Sequence, residues 1–401
     1  MNRNGRLCVN CIAPPYLLEK LLSSKDAAVR EVALNTLMST TQLRGERSVR
    51  ALTWAAGAPD TGRRTIYDCR NGQQLTAAVL ARTEDGGSSV DESVTRAFEG
   101  FGSTRDFYSK VLDRNSIDDR GMRLNGFVHY GASYQNAFWD GQEMIFGDGD
   151  GVVFSDFTKS LDVIGHELTH GVTEFTANLE YHGQSGALNE SISDVFGSLI
   201  KQWSQGTMAE DADWLIGAEL FTPGIEADAL RSMKAPGTAY DNDLIGKDPQ
   251  PDHMSRFASL PDTRAGDWGG VHTNSGIPNK AFYLTAVGIG GQAWDAPGHI
   301  WYEALKASSP KTEFQDFAET TYLKAEQLYG AGSAEQQAVS GAWAEVGIRI
   351  SGLASGPGRG RPSSGVGRDG DSLAALSKQI AALASQVKTL TKDVNSLKFK
   401  K

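Results

Sequence analysis

The sequence predicts an α+β protein with a strand-rich first half, a helical second half and a separate helix at its C-terminus. Three observations predict this fold class. Apolar and polar residues alternate before residue 150, apolar residues recur at three- and four-residue steps from Ser160 to Val346, and a heptad pattern follows residue 371. With 401 residues, of which 22% are charged, the chain has an ordinary globular composition and the length of two or three domains.

The first 50 residues form the first predicted unit. They contain short helical pieces between Tyr16 and Leu37, then a polar, arginine-rich stretch at 40–50, which is typical of an exposed, cleavable connection. This unit has 8 basic and 4 acidic side chains, whereas residues 51–351 have 22 basic and 42 acidic ones. The opposite charges, +4 and −20, favour docking of the first unit on the rest of the chain.

Residues 51–351 are predicted to form two lobes, an α+β lobe over 51–173 and a helical lobe over 174–351. Alternation predicts strands around 65–67, over 75–80 and, interrupted by glycines, over 124–146. Helical spacing predicts one helix that is capped by Ser160 and runs to Val172, and another after Gly186. Further helices are expected around 281–287, 299–307, 313–329 and 334–346.

The last 50 residues predict a flexible linker over 352–371 and a coiled-coil helix over 372–401. The linker is rich in glycine, serine, arginine and proline. β-Branched residues at most a positions with leucine at every d position favour a parallel dimer, so we expect a homo-oligomer through 373–397. A single amphipathic helix packed on the body is disfavoured because the linker is long. The a positions are Leu373, Ile380, Val387 and Val394, and the d positions are Leu376, Leu383, Leu390 and Leu397.

Composition excludes or disfavours several classes of protein. No run reaches the roughly 18 apolar residues of a membrane span, and the N-terminus lacks the apolar core of a classical signal peptide. A pI near 5.3 argues against nucleic acid as the main ligand. Three cysteines, Cys8, Cys11 and Cys69, exclude a disulfide framework. Because no second CxxC pairs with Cys8 and Cys11, two reduced thiols are favoured over a redox or metal role.

The pentapeptide HELTH at 166–170 predicts a zinc site on the helix that follows Ser160. His166 and His170 are four residues apart, so both imidazoles project from one face and can reach a single metal ion. Neutral imidazoles suit Zn²⁺ and leave positions for a third ligand and a water. Glu167 can accept a proton from that water without binding the metal. A solvated helix face with two histidines is the alternative.

Two carboxylates on the next predicted helix complete this site. Glu190 lies 24 residues after His166, and its carboxylate on a packed second helix would complete the His₂Glu set of a catalytic zinc. Asp194, one turn further, can accept the remaining N–H of a ligand imidazole. Unpaired carboxylates on an otherwise apolar helix would be costly, which favours a metal site over a structural helix.

With these motifs in place, residues from about 60 to 350 resemble the thermolysin family of zinc metallopeptidases, in its protealysin-like branch with a short prosegment. The other motifs that carry the resemblance are NAFW at 136–139, Leu230-Arg231 and GGVH at 269–272. The resemblance implies a two-lobed fold with a β-rich N-terminal lobe, a central active-site helix and a helical C-terminal lobe. It also implies an endopeptidase with one catalytic Zn²⁺.

The resemblance further implies roles for residues outside the zinc motif. The Asn136 side chain and the Ala137 carbonyl would hold the substrate backbone by strand addition. Tyr181 and His272 would donate hydrogen bonds to the developing oxyanion, and Asp267 would orient His272.

The resemblance also implies an arginine that binds a substrate carbonyl, Arg231, and an apolar pocket for the residue after the scissile bond. Such a pocket implies cleavage on the N-terminal side of Leu, Phe, Ile or Val. Taken singly, the pocket residues are equally consistent with an ordinary core. They are Phe154, Val163, Ile216, Leu220 and Leu230.

The family's double calcium site lacks part of its ligand set here. Asp162 and Asp213 remain, but the corresponding acidic positions hold Lys201, Leu215 and Ala218. Since a lysine ammonium repels Ca²⁺, we expect the double site to be absent, with at most one ion there. The residues Thr222, Ile225 and Asp228 have two interpretations, a separate calcium site or an ordinary loop.

By the same resemblance, residues 1–50 are an inhibitory prosegment. The run PPYL at 14–17 would lie in the cleft as an uncleavable mimic of substrate. Self-cleavage before an apolar residue such as Val49 or Leu52 would release the enzyme. A thiolate–zinc latch through Cys11 is a lesser alternative. The family implies secretion, which without a classical signal means a non-classical route; a cytoplasmic location is the other reading.

Two rival functions stay open at this point. One is a catalytically idle member of the family that binds peptides or acts as a scaffold through its coiled coil, and the other is a coiled-coil adaptor whose body is only structural. The intact set of Glu167, Tyr181 and His272 favours the peptidase. The predicted partners are therefore protein or peptide substrates, the chain's own prosegment and a second copy of the chain.

Overall fold

A six-stranded mixed sheet forms the strand-rich half of the protein. The computed structural model describes residues 10–50 and 62–350, and the side chains of 11–43 and 62–350. Within these residues the sheet has the strand order β1-β5-β6-β4-β2-β3, with parallel pairing of β4 to β2 and β6 and antiparallel pairing elsewhere. Its strands are β1 (Asn10–Cys11), β2 (Arg64–Asp68), β3 (Val79–Thr83), β4 (Leu124–Val128), β5 (Ala137–Trp139) and β6 (Glu143–Phe146).

Helices dominate the second half of the described chain, which confirms the predicted α+β fold class. Two short antiparallel pairs, β7 (Leu215–Ile216) with β8 (Arg231–Ser232) and β9 (Asp241–Asn242) with β10 (Gly246–Lys247), lie between them. The helices are α1 (Pro15–Leu21), α2 (Ala27–Arg50), α3 (Glu92–Leu112), α4 (Leu161–Glu174), α5 (Gly183–Gln205), α6 (Asp267–Asn274), α7 (Gly276–Ile289), α8 (Ala296–Ala307), α9 (Phe314–Tyr329) and α10 (Ala334–Glu345).

Helices α4 and α5 pack closely because glycines lie at their contact. A Cβ atom on Gly165 would lie 3.2 Å from the Cα atom of Gly197, and one on Gly197 would clash with the carbonyl oxygen of Asp162. Nearly every residue of α4, and most of α5, is buried. Polar side chains on the facing surfaces of these two helices therefore meet in a dry environment.

The structure corrects three local expectations. Residues 40–50 continue helix α2 instead of forming an exposed connection, because 27–50 contains no proline and a single glycine. Residues 75–77 form a short 3₁₀ helix, so the strand begins only at Val79. Ser160 stands at the N-cap position of α4 without capping it, since its hydroxyl donates to Asp162 at 2.8 Å and to Glu219 at 2.5 Å.

Four predictions concern residues outside the described ranges and stay predictions. They are the reduced thiol of Cys8, cleavage of the bond before Leu52, the flexible linker at 352–371 and the coiled coil at 372–401. The division of the body into lobes at residue 173 also stays a prediction. Among the described residues, each helix is too short or too polar to cross a bilayer.

A buried lysine joins α5 to the start of α4. The ammonium of Lys201 donates to Asp162 at 2.9 Å, to Asp213 at 3.1 Å and to the carbonyl oxygen of Leu215 at 3.1 Å. Burial alone would lower the pKa of Lys201, but the carboxylates of Asp162 and Asp213 raise it above its usual value. Lys201 is therefore charged, and it balances the charge of Asp162, which is fully buried.

We expect the substitution Lys201→Met to lower the free energy of unfolding by about 3–5 kcal/mol, because Asp162 would lose its countercharge in a buried site. Lys247→Met is the control: it removes an exposed ion pair with Asp241 and should leave the melting temperature unchanged. Thermal unfolding followed by circular dichroism measures both variants. Equal stability of Lys201→Met and the unchanged chain would contradict this role of Lys201.

Candidate active site

Two histidines of α4 and one glutamate of α5 converge on a single point. His166 Nε2 and His170 Nε2 lie 3.0 Å apart, and the Glu190 carboxylate lies 3.6 Å from the first and 3.5 Å from the second. All three side chains are buried. Of the His, Cys, Asp and Glu side chains described, these three have ligand atoms within 4.8 Å of one another, so they form one group able to hold a metal ion.

The tautomers of both imidazoles direct a lone pair toward this point. His166 Nδ1 donates to the Asp194 carboxylate at 2.8 Å, and His170 Nδ1 lies 2.8 Å from Asn189 Oδ1, an acceptor. With both Nδ1 atoms bound to these neighbours, the two Nε2 atoms face each other at 3.0 Å, where a cation would accept a lone pair from each. Glu190 Oε2 is buried and accepts no hydrogen bond. This donor set suits Zn²⁺.

Burial and the neighbouring imidazole of His166 lower the pKa of His170 well below its usual value. A neutral imidazole is the form that binds a metal. The electrostatics of the pocket therefore favour the protonation state that zinc requires.

Asp194 connects the two helices to the rest of the site. Its carboxylate accepts from Arg231 Nε at 2.8 Å and Nη2 at 2.7 Å, and from Asn279 Nδ2 at 2.8 Å, besides His166. Burial alone would raise the pKa of Asp194, but the charge of Arg231 and the hydrogen bond from His166 hold it below its usual value. Asp194 is therefore an ionised acceptor that orients the His166 ring.

Glu167 lies one residue beyond His166 and is also buried. Its Oε2 atom accepts a hydrogen bond from the backbone N–H of Trp139 at 2.9 Å. Burial and the negative charge of Glu190 raise the pKa of Glu167 well above its usual value. A carboxylate with a raised pKa accepts a proton more readily, as a general base must.

Tyr181 and His272 lie on the other side of the metal ligands. The Tyr181 hydroxyl donates to Glu190 and lies 3.3 Å from His272 Nε2. His272 Nδ1 donates to Asp267 at 2.6 Å. Burial alone would lower the pKa of His272, but the charges of Glu190 and Asp267 raise it to about 9. At neutral pH His272 is thus a charged donor.

Comparison with known proteins agrees with this geometry. The family profile "Thermolysin metallopeptidase, catalytic domain" matches residues 55–174, and "Thermolysin metallopeptidase, alpha-helical domain" matches residues 177–348. This chain belongs to the thermolysin family of metallopeptidases. It is thus a thermolysin-like zinc metallopeptidase, a hydrolase that acts on peptide bonds, and its family implies zinc at His166, His170 and Glu190.

Similar thermolysin-family proteins cover most of this chain. An "Extracellular metalloprotease" of Pectobacterium carotovorum subsp. carotovorum is 46% identical over 84% of this chain and 96% of its own length. "Protease PrtS" of a Photorhabdus strain is 44% identical over 84% and 92%. The solved precursor of protealysin, a metalloproteinase from Serratia proteamaculans, has a TM-score of 0.76 and 45% identity and covers 84% of this chain and 99% of its own.

In this thermolysin-family chain, residues 10–13, within the predicted prosegment, lie in the cleft, where β1 is an added strand. Strand β1 pairs antiparallel with β5 at the edge of the sheet. The Ile12 N–H donates to the Ala137 carbonyl at 3.2 Å, and the Ala13 N–H donates to Asn136 Oδ1 at 3.0 Å. Asn136 Nδ2 in turn donates to the Ala13 carbonyl at 3.3 Å. The two groups that the resemblance assigns to the substrate backbone hold the chain's own segment.

Two cationic side chains hold the carbonyl groups on either side of the Cys11–Ile12 bond. His272 Nε2 donates to the Cys11 carbonyl at 3.0 Å, and Arg231 Nη1 donates to the Ile12 carbonyl at 3.2 Å. The Ile12 side chain is fully buried in the apolar cluster that contains the predicted pocket residues. These are Phe154, Val163, Ile216, Leu220 and Leu230, all of them buried.

The position of the prosegment corrects two expectations. The diproline at 14–15 does not lie across the catalytic groups, because Pro14 precedes α1 and Pro15 begins it. Prolines also lack the N–H groups by which Ile12 and Ala13 bind the strand. The Cys11 thiol does not join the metal-binding group; it packs in an apolar cluster with Leu43, Phe138 and other residues, and only its carbonyl faces His272.

Sequence reasoning missed four residues of this site. Asn189 orients His170, Asn279 binds Asp194, Trp139 supplies a backbone N–H to Glu167, and Ile12 fills the cleft. Asn189 precedes Glu190 directly and could have been noticed as a polar residue on an apolar helix. The other three are brought in by chain segments far apart in sequence, and no spacing indicates them.

We expect Glu190→Gln to lower the affinity for zinc by about 100-fold or more, because a neutral amide replaces the anionic ligand. Glu167→Gln is the matched control: it changes a buried glutamate of the same pocket but should retain one zinc per chain. Competition with a chromogenic chelator, together with elemental analysis, measures both variants. A Glu190→Gln protein that binds zinc as tightly as the unchanged chain would contradict this ligand assignment.

Proposed function

We propose that this zinc metallopeptidase is an endopeptidase that cleaves on the N-terminal side of large apolar residues and is made in a latent form. The observation that carries the proposal is the placement of the Cys11–Ile12 bond. Its backbone pairs with the sheet edge, the carbonyl before the bond accepts from His272, and the apolar Ile12 side chain after the bond is buried. A peptide substrate of the same polarity and register would make the same contacts.

The catalytic roles follow from the positions of the side chains. Zinc, when bound, supplies a Lewis acid that polarises the scissile carbonyl and acidifies water. Glu167 accepts the proton of that water and returns it to the leaving nitrogen. His272, oriented by Asp267, and Tyr181 supply hydrogen-bond donors where negative charge develops on the carbonyl oxygen. Arg231 orients the next carbonyl along the chain.

The specificity follows from the apolar pocket predicted for the residue after the scissile bond, the position that we assign to Ile12. Its predicted lining is apolar and buried, and a charged side chain there would lose its hydration without a partner. A Leu, Phe, Ile or Val side chain gains the free energy of burial instead. We infer a preference for these residues directly after the scissile bond.

Latency is the second part of the proposal. Residues 10–13 fill the groove in which a substrate would lie, so an external peptide cannot bind until the prosegment leaves. Release would need a cut near residue 50, before Val49 or Leu52. The bond before Val49 lies in helix α2, and a protease binds its substrate extended, so a cut there requires the end of α2 to unwind.

Calcium is not expected at the position of the family's double site. The Lys201 ammonium lies between Asp162 and Asp213, where it supplies the positive charge that a divalent ion would supply. We therefore propose one catalytic Zn²⁺ and no double calcium site, with a separate ion near Thr222, Ile225 and Asp228 as the remaining alternative.

We expect Glu167→Gln to lower kcat/KM for peptide cleavage by about 10²–10⁴-fold with zinc content unchanged, because the general base is lost. A trace of unchanged enzyme, removed afterwards, would free the variant of its prosegment. Glu99→Gln, at an exposed ion pair on α3, is the control and should keep full activity. Two peptides that differ only in Leu or Asp after the scissile bond test the pocket. Full activity of Glu167→Gln, or equal cleavage of both peptides, would refute the proposal.

We also propose that 373–397 associates two copies of the chain. Because Leu383 is at a d position and Lys388 at an outward b position of the heptad, Leu383→Asp should reduce the mass to that of a monomer and Lys388→Asp should not. Light scattering measures both, and peptidase activity should change little in either. An unchanged mass of the Leu383→Asp protein would overturn the coiled coil.

A further inference from the structure

The prosegment binds in the direction and register of a substrate. The carbonyl before the Cys11–Ile12 bond accepts from His272 at 3.0 Å, and the carbonyl after it accepts from Arg231 at 3.2 Å. The Ile12 nitrogen donates to Ala137 at 3.2 Å. Three of the groups that would fix a scissile bond, His272, Arg231 and the Ala137 carbonyl, therefore contact the corresponding atoms of this one bond.

The bond itself is chemically ordinary. The residue after it is isoleucine, one of the side chains that the pocket should accept, and its side chain is fully buried. The prolines that would resist cleavage come later: Pro14 is the third residue after the bond and Pro15 the fourth. A proline at either of these positions removes no N–H from the contacts that hold Ile12 and Ala13.

We propose that the Cys11–Ile12 bond is a self-cleavage site, and that the cut chain remains latent because the new N-terminus at Ile12 stays in the cleft. This inference rests on the proposed function of the same site. In the step, the oxygen of water bonds to the Cys11 carbonyl carbon and the C–N bond breaks. Cys11 ends as a carboxylate and both protons of the water end on the Ile12 nitrogen, which becomes an ammonium, so hydrolysis needs no other reactant.

The two sides of the bond are held very differently. On the C-terminal side, α1 and α2 bury Leu17, Leu18 and Leu37 against the body, and Thr36 Oγ1 accepts from the Gln135 N–H at 3.1 Å. On the N-terminal side, the described contacts are the pairing of β1 with β5, the hydrogen bond from His272 to the Cys11 carbonyl and the packing of the Cys11 side chain in the apolar cluster of Leu43 and Phe138. We therefore expect the shorter N-terminal fragment to leave after hydrolysis, whereas the packing of α1 and α2 keeps residues 12–50 on the body.

The test follows the freshly purified, zinc-loaded full chain over time by intact mass and N-terminal sequencing. We expect a peptide that ends at Cys11 and a large product that begins IAPPY, before any cut near residue 50. The rate should not change over a 30-fold range of protein concentration, since the cut occurs within one molecule. The cut chain should stay inactive on an external peptide. Glu167→Gln should retain residues 1–11.

Substitutions of Ile12 and Ala13 test whether cleavage requires the specific contacts of these residues or only their closeness to the catalytic groups. Ile12→Leu should still be cut, whereas Ile12→Asp should be cut about 100-fold more slowly, because its carboxylate cannot enter an apolar pocket. Ala13→Pro, which lacks the N–H that binds Asn136, is a second disruptive variant if Ile12→Asp fails to fold. In the inactive Glu167→Gln background, amide exchange of residues 11–13 should be slow with Ile12→Leu and fast with Ile12→Asp.

The outcomes distinguish this inference from the proposed function. If enzyme freed of its prosegment cleaves external peptides but the full chain keeps residues 1–11, the self-cleavage site is wrong and the proposed function stands. A first cut elsewhere, or a rate that rises with concentration, also overturns it. If neither external peptides nor the chain itself are cut, the proposed function fails.

Discussion

The buried charge of Asp194 is the interaction on which the rest of the site depends. One carboxylate binds the ring of a metal-ligating histidine on α4, the guanidinium of Arg231 on β8 and the amide of Asn279 on α7. A carboxylate this deeply buried is stable only while its partners stay in place, since an unpaired buried charge costs about 3–5 kcal/mol. The hydrogen bonds that stabilise the charge of Asp194 are therefore the same ones that orient the His166 ring. They also place Arg231 where it can bind a peptide carbonyl.

Strand addition explains how one groove can serve both latency and substrate binding. Backbone hydrogen bonds to β5 do not depend on sequence, so any extended peptide can make them, including the chain's own residues 10–13. Residues 10–13 differ from an external peptide because they are covalently joined to helices α1 and α2, which pack on the body. Helices α1 and α2 keep them at the cleft at a high effective concentration, so under the proposed latency modest contacts would be sufficient to exclude external peptides.

The zinc ligands could be predicted from sequence because they depend on local geometry. His166 and His170 share one helix turn, and Glu190 and Asp194 share another, so helical periodicity alone places each pair on one face. Contacts between distant segments were harder to predict. The N-terminal residue that enters the cleft is set by the register of residues 10–13 against β5, which are more than 120 positions apart in the chain. The diproline was predicted to lie in the cleft because it is rigid, but an added strand needs N–H donors, which proline lacks. The helix over 40–50 was missed because charged residues are typical both of loops and of exposed helices.

The described contacts also show what kind of force docks the prosegment. Its net charge of +4 suggested attraction to an acidic body, yet Glu19 of the prosegment meets Arg264 of the body at 3.8 Å, with the charges reversed. Both side chains are partly exposed, and pairs of this kind contribute little. The arginines at 44, 47 and 50 lie outside the described side chains and far along the chain from the strand in the cleft. Among the described contacts, apolar burial and hydrogen bonds to the segment's backbone hold residues 11–43 on the body, whereas the exposed ion pair contributes little.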